Sequence, residues 1–192
     1  MTPDKLIPNF SRERIYQARD FAVLAHGDQE YGSQPYIVHL DAVLKIVTDQ
    51  ESDPLSFDAA QRAIIALLHD TVEDTDATVK MLKRAFGSHV ARQVDLVSDK
   101  PAHNRKARKR AAMDVLGDLG PSDYDALIIK AADRLANVRA AAKDKPGLLK
   151  MYQKEHRAFT HAACRTGLVD PIWDELNTLL APDGQNKGVE VS

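Results

Sequence analysis

Cysteine is almost missing from this chain: Cys164 stands alone among 192 residues. One thiol cannot build an internal disulfide framework, so a packed core must hold the fold, and the composition fits a reducing compartment. A lone cysteine of this kind reads as a small buried hydrophobe rather than a nucleophile. Charge of one sign is also missing. Lys and Arg number 26 against 28 Asp and Glu, a formal net charge of −2, so no global field draws the protein to nucleic acid or to a membrane surface. No apolar run approaches the roughly eighteen residues of a membrane span. Met1 to Asn9 contains Asp4 and Lys5 and lacks the apolar stretch of a signal peptide. The expectation is a cytoplasmic protein that neither enters a membrane nor binds nucleic acid. No alternating strand pattern, internal repeat or low-complexity segment is found either.

What is present is helix after helix. Hydrophobic residues make up 44% of the chain, enough to core one domain of this length. Ser11 reads as an N-cap for a helix through Ala25, with Ile15, Ala18, Ala22 and Ala25 on one face. His26 to Pro35, with Gly27 and Gly32, reads as a loop. Further helices are expected over Tyr36 to Thr48, from an Asp58 cap through the Leu67-Leu68 run, from Thr75 or Asp76 to Phe86, and on to about Ser98. Beyond Pro101 a basic stretch enters a helix to about Leu116. Ser122 is expected to cap a helix to Lys143, and two more follow, from Pro146-Gly147 to about Thr166 and from Pro171 to Leu180. The expected organisation is all-α: an N-terminal extension over 1–10, one domain over 11–181, and a tail over 182–192.

The chemistry concentrates in Ala66-Leu67-Leu68-His69-Asp70-Thr71-Val72-Glu73-Asp74-Thr75. Ala63 to Leu68 is apolar in nearly every direction, as a buried helix is. Charges continuing such a helix need partners or a cation. At about 100° per residue, a continuous helix would put His69, Asp70, Glu73 and Asp74 on one broad face. His39 follows Pro35-Tyr36-Ile37-Val38 in an apolar helix, and Asp133 follows the apolar Leu127 to Ala132 with Asn137 one turn on. Taken alone, His39 would more often be a hydrogen-bonded core residue and Asp133 a partner of Arg134. Together with His69 and Asp70 they make two imidazoles and two carboxylates, a set for Mn, Fe, Co or Zn. The absence of thiolates argues against a structural zinc site.

These three segments, in this order, resemble the HD-domain hydrolases. Within them they resemble the alarmone hydrolase branch, the hydrolase domain of Rel/SpoT enzymes and its free-standing small relatives. Ala18-Arg19-Asp20-Phe21-Ala22 and Phe86-Gly87 fit as well. The resemblance implies an HD-domain helical bundle with one Mn2+ held by His39, His69, Asp70 and Asp133. It implies Glu73 and Asp74 as the acid/base and water-positioning pair, without saying which is the acid. The activity implied is hydrolysis of the 3′-diphosphate of (p)ppGpp or (p)ppApp with release of pyrophosphate. It further implies substrate contacts from Asn137, from Lys100 in Val97-Ser98-Asp99-Lys100, and from Arg157 in Glu155-His156-Arg157. His161 stands where the family commonly has tyrosine. Lys100, Arg105, Lys106, Arg108, Lys109 and Arg110 form a basic cluster that is either a solvated face or an anion site.

The family's loop before Pro-Tyr-Ile-x-His carries an Arg-Lys pair that grips guanine. Here His26 to Gln34 is one residue shorter and has no cation besides His26. Tyr31 can stack on a base, but stacking tolerates any base. Ala140 replaces a threonine near the ribose. Guanine and adenine alarmones therefore both stay open, and a synthetase domain is not expected in a chain of this length. The alternatives are another HD nucleotide phosphohydrolase releasing orthophosphate, or a non-catalytic nucleotide-binding regulator. The oligomeric state is not readable.

Overall fold

The computed structural model describes residues 7–99 and 103–181. Among them the chain is all-α apart from one two-residue-per-strand hairpin. Ten helices run in order: α1 (Ile7–His26), α2 (Ile37–Thr48), α3 (Phe57–Leu68), α4 (Thr71–Asp74), α5 (Val79–Phe86), α6 (Ser88–Val97), α7 (Arg105–Asp118), α8 (Tyr124–Asp144), α9 (Pro146–Ala163) and α10 (Asp170–Leu179). The hairpin pairs β1 (Glu30–Tyr31) with β2 (Gln34–Pro35) antiparallel, Glu30 opposite Pro35. It lies inside the segment expected to be a loop. Two-residue strands are too short to show alternation, so the pattern carried no trace of it. Gly32 makes its turn at φ +69, a left-handed conformation that glycine adopts without cost.

Two helices organise the core. Ile64, Ile65, Leu67 and Leu68 of α3 are fully buried, as are Leu127, Ile129 and Leu135 of α8. Each such side chain contributes roughly 1.5–3 kcal/mol by leaving water. Helix α3 packs against α1, α2, α6 and α8, and α8 against α2, α6, α9 and α10. The all-round apolar runs thus occupy the centre, and the amphipathic helices enclose them.

Several helix starts differ from expectation. Helix α1 begins at Ile7, upstream of the Ser11 cap; Pro8 is tolerated there because a first-turn residue has no N–H obligation. Ser56, not Asp58, caps α3, its side chain accepting from Ala59 N. Thr78, rather than Thr75 or Asp76, caps α5 in the same way. Before α8 a 3-10 turn over Pro121–Asp123 replaces the Ser122 cap. Asp123 is tied instead to Arg92 by two 2.7 Å bonds.

The largest departure is at the centre of the chemistry. The helix does not run on through His69. It stops at Leu68, and Asp70 sits at φ −97, ψ −6. Side chains take over the freed carbonyls: His69 Nδ1 lies 2.7 Å from Ala66 O, Thr71 Oγ1 donates to Leu68 O at 2.7 Å, and Thr75 Oγ1 to Thr71 O at 2.6 Å. Such local bonds compete with the helix ladder. The break turns His69 and Asp70 inward and leaves Glu73 and Asp74 on a separate short turn.

The frame on the other side is held by Arg165. Its guanidinium donates to Ala162 O and Cys164 O at the end of α9, and to Leu116 O, Gly117 O and Leu119 O at the end of α7. One cation thus caps two helices. Arg165→Ala is expected to lower the unfolding free energy in urea by about 2–3 kcal/mol, the scale of charged hydrogen bonds.

Candidate active site

Three segments converge on one point. His39 comes from the first turn of α2, His69 and Asp70 from the break after α3, and Asp133 from the middle of α8. Ligand atoms of His39, His69 and Asp70 lie within 4.8 Å of one another. Asp133 Oδ1 faces both rings, 3.2 Å from His39 Nε2 and 3.8 Å from His69 Nε2. Asp70 Oδ2 lies 3.1 Å from His69 Nε2 and 3.6 Å from His39 Nε2. Both imidazoles are almost wholly buried, His39 at 3% and His69 at 1% exposure.

The donor set suits a divalent ion. His69 Nδ1 donates to Ala66 O, which leaves the buried Nε2, facing Asp70 and Asp133, as the atom that takes up either a proton or a metal ion. A hydrogen bond from the far ring nitrogen to a backbone carbonyl fixes the orientation of a ligand histidine. Two nitrogen and two oxygen ligands are the mixture borderline metals take. The electrostatics agree. Burial opposes charging His69, but Asp70 and Asp133 outweigh it and lift its pKa to about 10. Burial alone would raise both carboxyls, yet the two histidines hold Asp70 and Asp133 well below the usual range. The centre therefore holds protons where a cation would sit.

The supporting bonds include residues to which the sequence reading gave no role. Tyr36 Oη lies 2.6 Å from Asp70 Oδ2 and 3.1 Å from Asp74 Oδ2, so one hydroxyl links a metal-type ligand to the acid/base candidate. Burial and the Asp70 charge keep this phenol protonated. Its signal was its place one helical turn before His39. His26 stacks on the Tyr36 ring at 4.3 Å. Lys130, one turn before Asp133, is a second such residue. Burial disfavours its charge, but Asp133, Asp70, Glu73 and Asp99 raise its pKa, so it stays an ammonium. Asn137 Nδ2 donates to Asp133 Oδ1 at 2.6 Å and to Asp133 O at 3.1 Å. Tyr31 Oη donates to Asn137 Oδ1 at 2.9 Å, and its ring stacks 4.7 Å from His39. Burial lifts the Tyr31 phenol to about 12.

Glu73 and Asp74 stand at the opening of this centre. Glu73 Oε2 accepts from Asp99 N at 2.9 Å. Partial desolvation raises the Glu73 carboxyl, opposed by that bond and by Lys130. Besides Tyr36, Asp74 receives a long 3.5 Å contact from Gln29. A cavity of about 180 Å³ adjoins Asp133 and Asn137 and is lined by the cations Lys109, Lys130 and Arg134. Lys109 and Arg134 both meet Glu155, at 2.7 and 3.4 Å. A larger cavity of about 490 Å³ reaches His39 and Tyr31 from the hairpin side.

Two expected contacts are not at the centre. Arg157 and His161 line a separate open groove of α9 with Asn177 of α10. The α9 residues that face the cavity beside Asp133 are Tyr152 and Phe159, whose rings lie 4.8 and 4.4 Å from the Arg134 guanidinium. Helical periodicity explains the difference: Arg157 is rotated away from the face that carries Tyr152 and Phe159. Lys100 lies outside the described residues.

Because protons occupy the centre until a cation displaces them, metal affinity is expected to rise with pH between 6 and 9. Titration calorimetry of the metal-free chain in buffers of different ionisation enthalpy should show proton release on Mn2+ binding. Asn137→Ala, which frees Asp133, should weaken Mn2+ binding by about 10–100-fold.

The comparisons with known proteins concern the same segments. Residues 18–169 match the model of the HD domain family. A human protein, guanosine-3′,5′-bis(diphosphate) 3′-pyrophosphohydrolase MESH1, is 34% identical over 131 residues, covering 66% of this chain and 68% of its own. The Aquifex aeolicus guanosine-3′,5′-bis(diphosphate) 3′-pyrophosphohydrolase is 34% identical over 140 residues, 71% of this chain but 19% of its own length. The Brucella ovis GTP pyrophosphokinase rsh is 31% identical over 90% of this chain and 23% of its own. The chain thus spans about a fifth of the long relatives and two thirds of the short one. A solved structure, described as a metazoan orthologue of SpoT that hydrolyses ppGpp, shares the fold at TM-score 0.70 and 23% identity, covering 86% of this chain and 94% of that one. With the histidine–aspartate centre in place, the chain belongs to the HD-domain family, in the branch that contains these Rel/SpoT-type hydrolases.

Proposed function

We propose that this protein is a metal-dependent 3′-pyrophosphohydrolase of alarmone-type nucleotides, with Mn2+ held by His39, His69, Asp70 and Asp133. The observation that carries the reading is the placement of Glu73 and Asp74. Both carboxylates lie on the α4 turn that Asp70 opens; Asp74 shares the Tyr36 hydroxyl with Asp70, and Glu73 accepts from the backbone of Asp99. The named activity of the human and Aquifex relatives supports it.

A bound divalent ion lowers the pKa of water and neutralises a phosphoryl oxygen. The protein's own groups do the rest. The cleft with Lys109, Lys130 and Arg134 offers positive charge for the departing diphosphate. The cavity between the hairpin, α2 and α8 offers room for the nucleoside. The bond broken joins the 3′-oxygen to phosphorus, and water supplies the new oxygen on phosphorus. The 3′-alkoxide leaves as a hydroxyl, so one carboxyl gives it a proton while the other accepts one from the attacking water. Partial desolvation raises the pKa of Glu73, the direction that favours a carboxyl able to hold a proton. Tyr36 holds Asp74 in line with Asp70. The hairpin carries no Arg-Lys pair, which leaves the choice between guanine and adenine to Tyr31 and to the cavity walls.

With Mn2+ bound, the protein is expected to release pyrophosphate from ppGpp or ppApp; release of orthophosphate instead would favour the phosphatase reading. Glu73→Gln and Asp74→Asn should each reduce kcat by about 10²–10⁴-fold while Mn2+ binding persists. The acid is the residue whose variant loses the alkaline limb of the pH–rate profile, because an acid must be protonated to act. A non-catalytic regulator would show neither loss.

A further inference from the structure

The cavity on the hairpin side holds two lysines that the chemistry at phosphorus does not use. Its inner end is His39 with Tyr31 stacked on it. Its walls are apolar and small, Val38, Ala42 and Ile46 from α2 against Ala136 and Ala140 from α8. Val38 is 45% exposed although apolar, so this slot presents an uncovered surface suited to a flat ring. The charges lie at its mouth. Two of the four cations there are committed elsewhere: Lys45 pairs with Asp49 at 2.9 Å, and Arg139 forms two 2.6 Å bonds with Glu175. Lys143 and Lys145 have no described carboxylate within ion-pair distance.

Lys145 is placed by the hairpin. Its Nζ lies 5.9 Å from the Tyr31 ring centroid. A Cβ on Gly32 would stand 3.8 Å from that Nζ, so the bare turn passes directly by the ammonium. Lysines in the last turn of a helix ordinarily complement its dipole. Here the same end of α8 borders a cavity that opens from the metal-type centre, and two full charges outweigh the partial negative charge of the helix end. Asp144 is the one carboxylate lining this cavity.

We infer that Lys143 and Lys145 bind the 5′-phosphate group of the substrate and select nucleotides phosphorylated at both the 3′ and 5′ positions. This rests on the nucleotide reading given above. The 3′ and 5′ substituents leave a ribose on opposite sides. With the 3′ substituent at His39 and Asp133, and the base in the apolar slot, the 5′ substituent emerges at the mouth where the two ammonium groups stand. The chain thereby obtains substrate discrimination from the end of α8 rather than from cations in its hairpin.

The probes are guanosine 3′,5′-bisphosphate and guanosine 3′-monophosphate, with the adenosine pair in parallel, titrated calorimetrically into the Mn2+-loaded full chain. The wild type is expected to prefer the bisphosphate by about tenfold or more, the scale of one charge-assisted contact. That ratio should fall towards one in the Lys143→Gln/Lys145→Gln double variant. It should persist in Lys80→Gln, an exposed lysine of α5 that controls for net charge. Thermal melts verify that each variant is folded. A wild-type ratio near one, or a ratio that survives in the double variant, overturns the inference. Hydrolysis of a 3′-diphosphate is scored separately. Hydrolysis without the ratio rejects the lysine site alone, and the ratio without hydrolysis rejects the enzymatic reading alone.

Discussion

Two carboxylates facing two buried imidazoles are the constraint around which this molecule is arranged. Asp70 and Asp133 approach His39 and His69 at 3.1–3.8 Å inside a shell of apolar helices. Charges there cannot be left unmatched, since an unpaired buried ion costs several kcal/mol. The histidines answer by holding protons more tightly, and Lys130 stays charged among the surrounding acids. The fold thus creates a demand for positive charge at one point, and a divalent ion meets it with a single particle.

The rigidity of that point comes from the apolar helices that carry it. Residues 63–68 of α3 and 126–132 of α8 are buried nearly all round, so the stretches that carry the ligands cannot shift without disturbing the core. Around them, hydrogen bonds fix the orientation of three of the four candidate ligands: Ala66 O on His69, Asn137 on Asp133, and Tyr36 on Asp70. The same bonds reach outward, through Tyr36 to Asp74 and through Asn137 to Tyr31. The proposed metal ligands Asp70 and Asp133 are thus joined by hydrogen bonds to the acid/base candidate Asp74 and to Tyr31 beside the hairpin cavity. The two cavities flank the centre with different characters, one lined by cations near Glu155 and one by apolar walls beneath the hairpin.

Much of this was legible in residues alone. The all-round apolar runs before His69 and Asp133 announced buried helices, and a charge continuing a buried helix announces a partner. The order of His39, His69-Asp70, Glu73-Asp74 and Asp133 carried the family. Local signals were poorer guides to boundaries. Ser11, Asp58 and Ser122 each had the right chemistry for a cap, yet the neighbouring backbone gave that role to other residues or to a 3-10 turn. The break after Leu68 was hidden because the competing bonds of His69, Thr71 and Thr75 depend on carbonyl geometry. Arg157 and His161 face a groove apart from the metal-type centre for a related reason: a short motif match does not encode the rotation of the helix that bears it.

The sequence by itself determined the all-α class, the buried helices and the metal-type set, because periodicity and residue chemistry act over short range. Only the tertiary structure decided that His69 and Asp70 turn away from the helix carrying them, that Tyr36 joins Asp70 to Asp74, and that Lys145 meets the hairpin at Tyr31 and Gly32 with Lys143 lining the same cavity. Those outcomes follow from which faces pack together, and residues far apart in the chain become neighbours only through that packing.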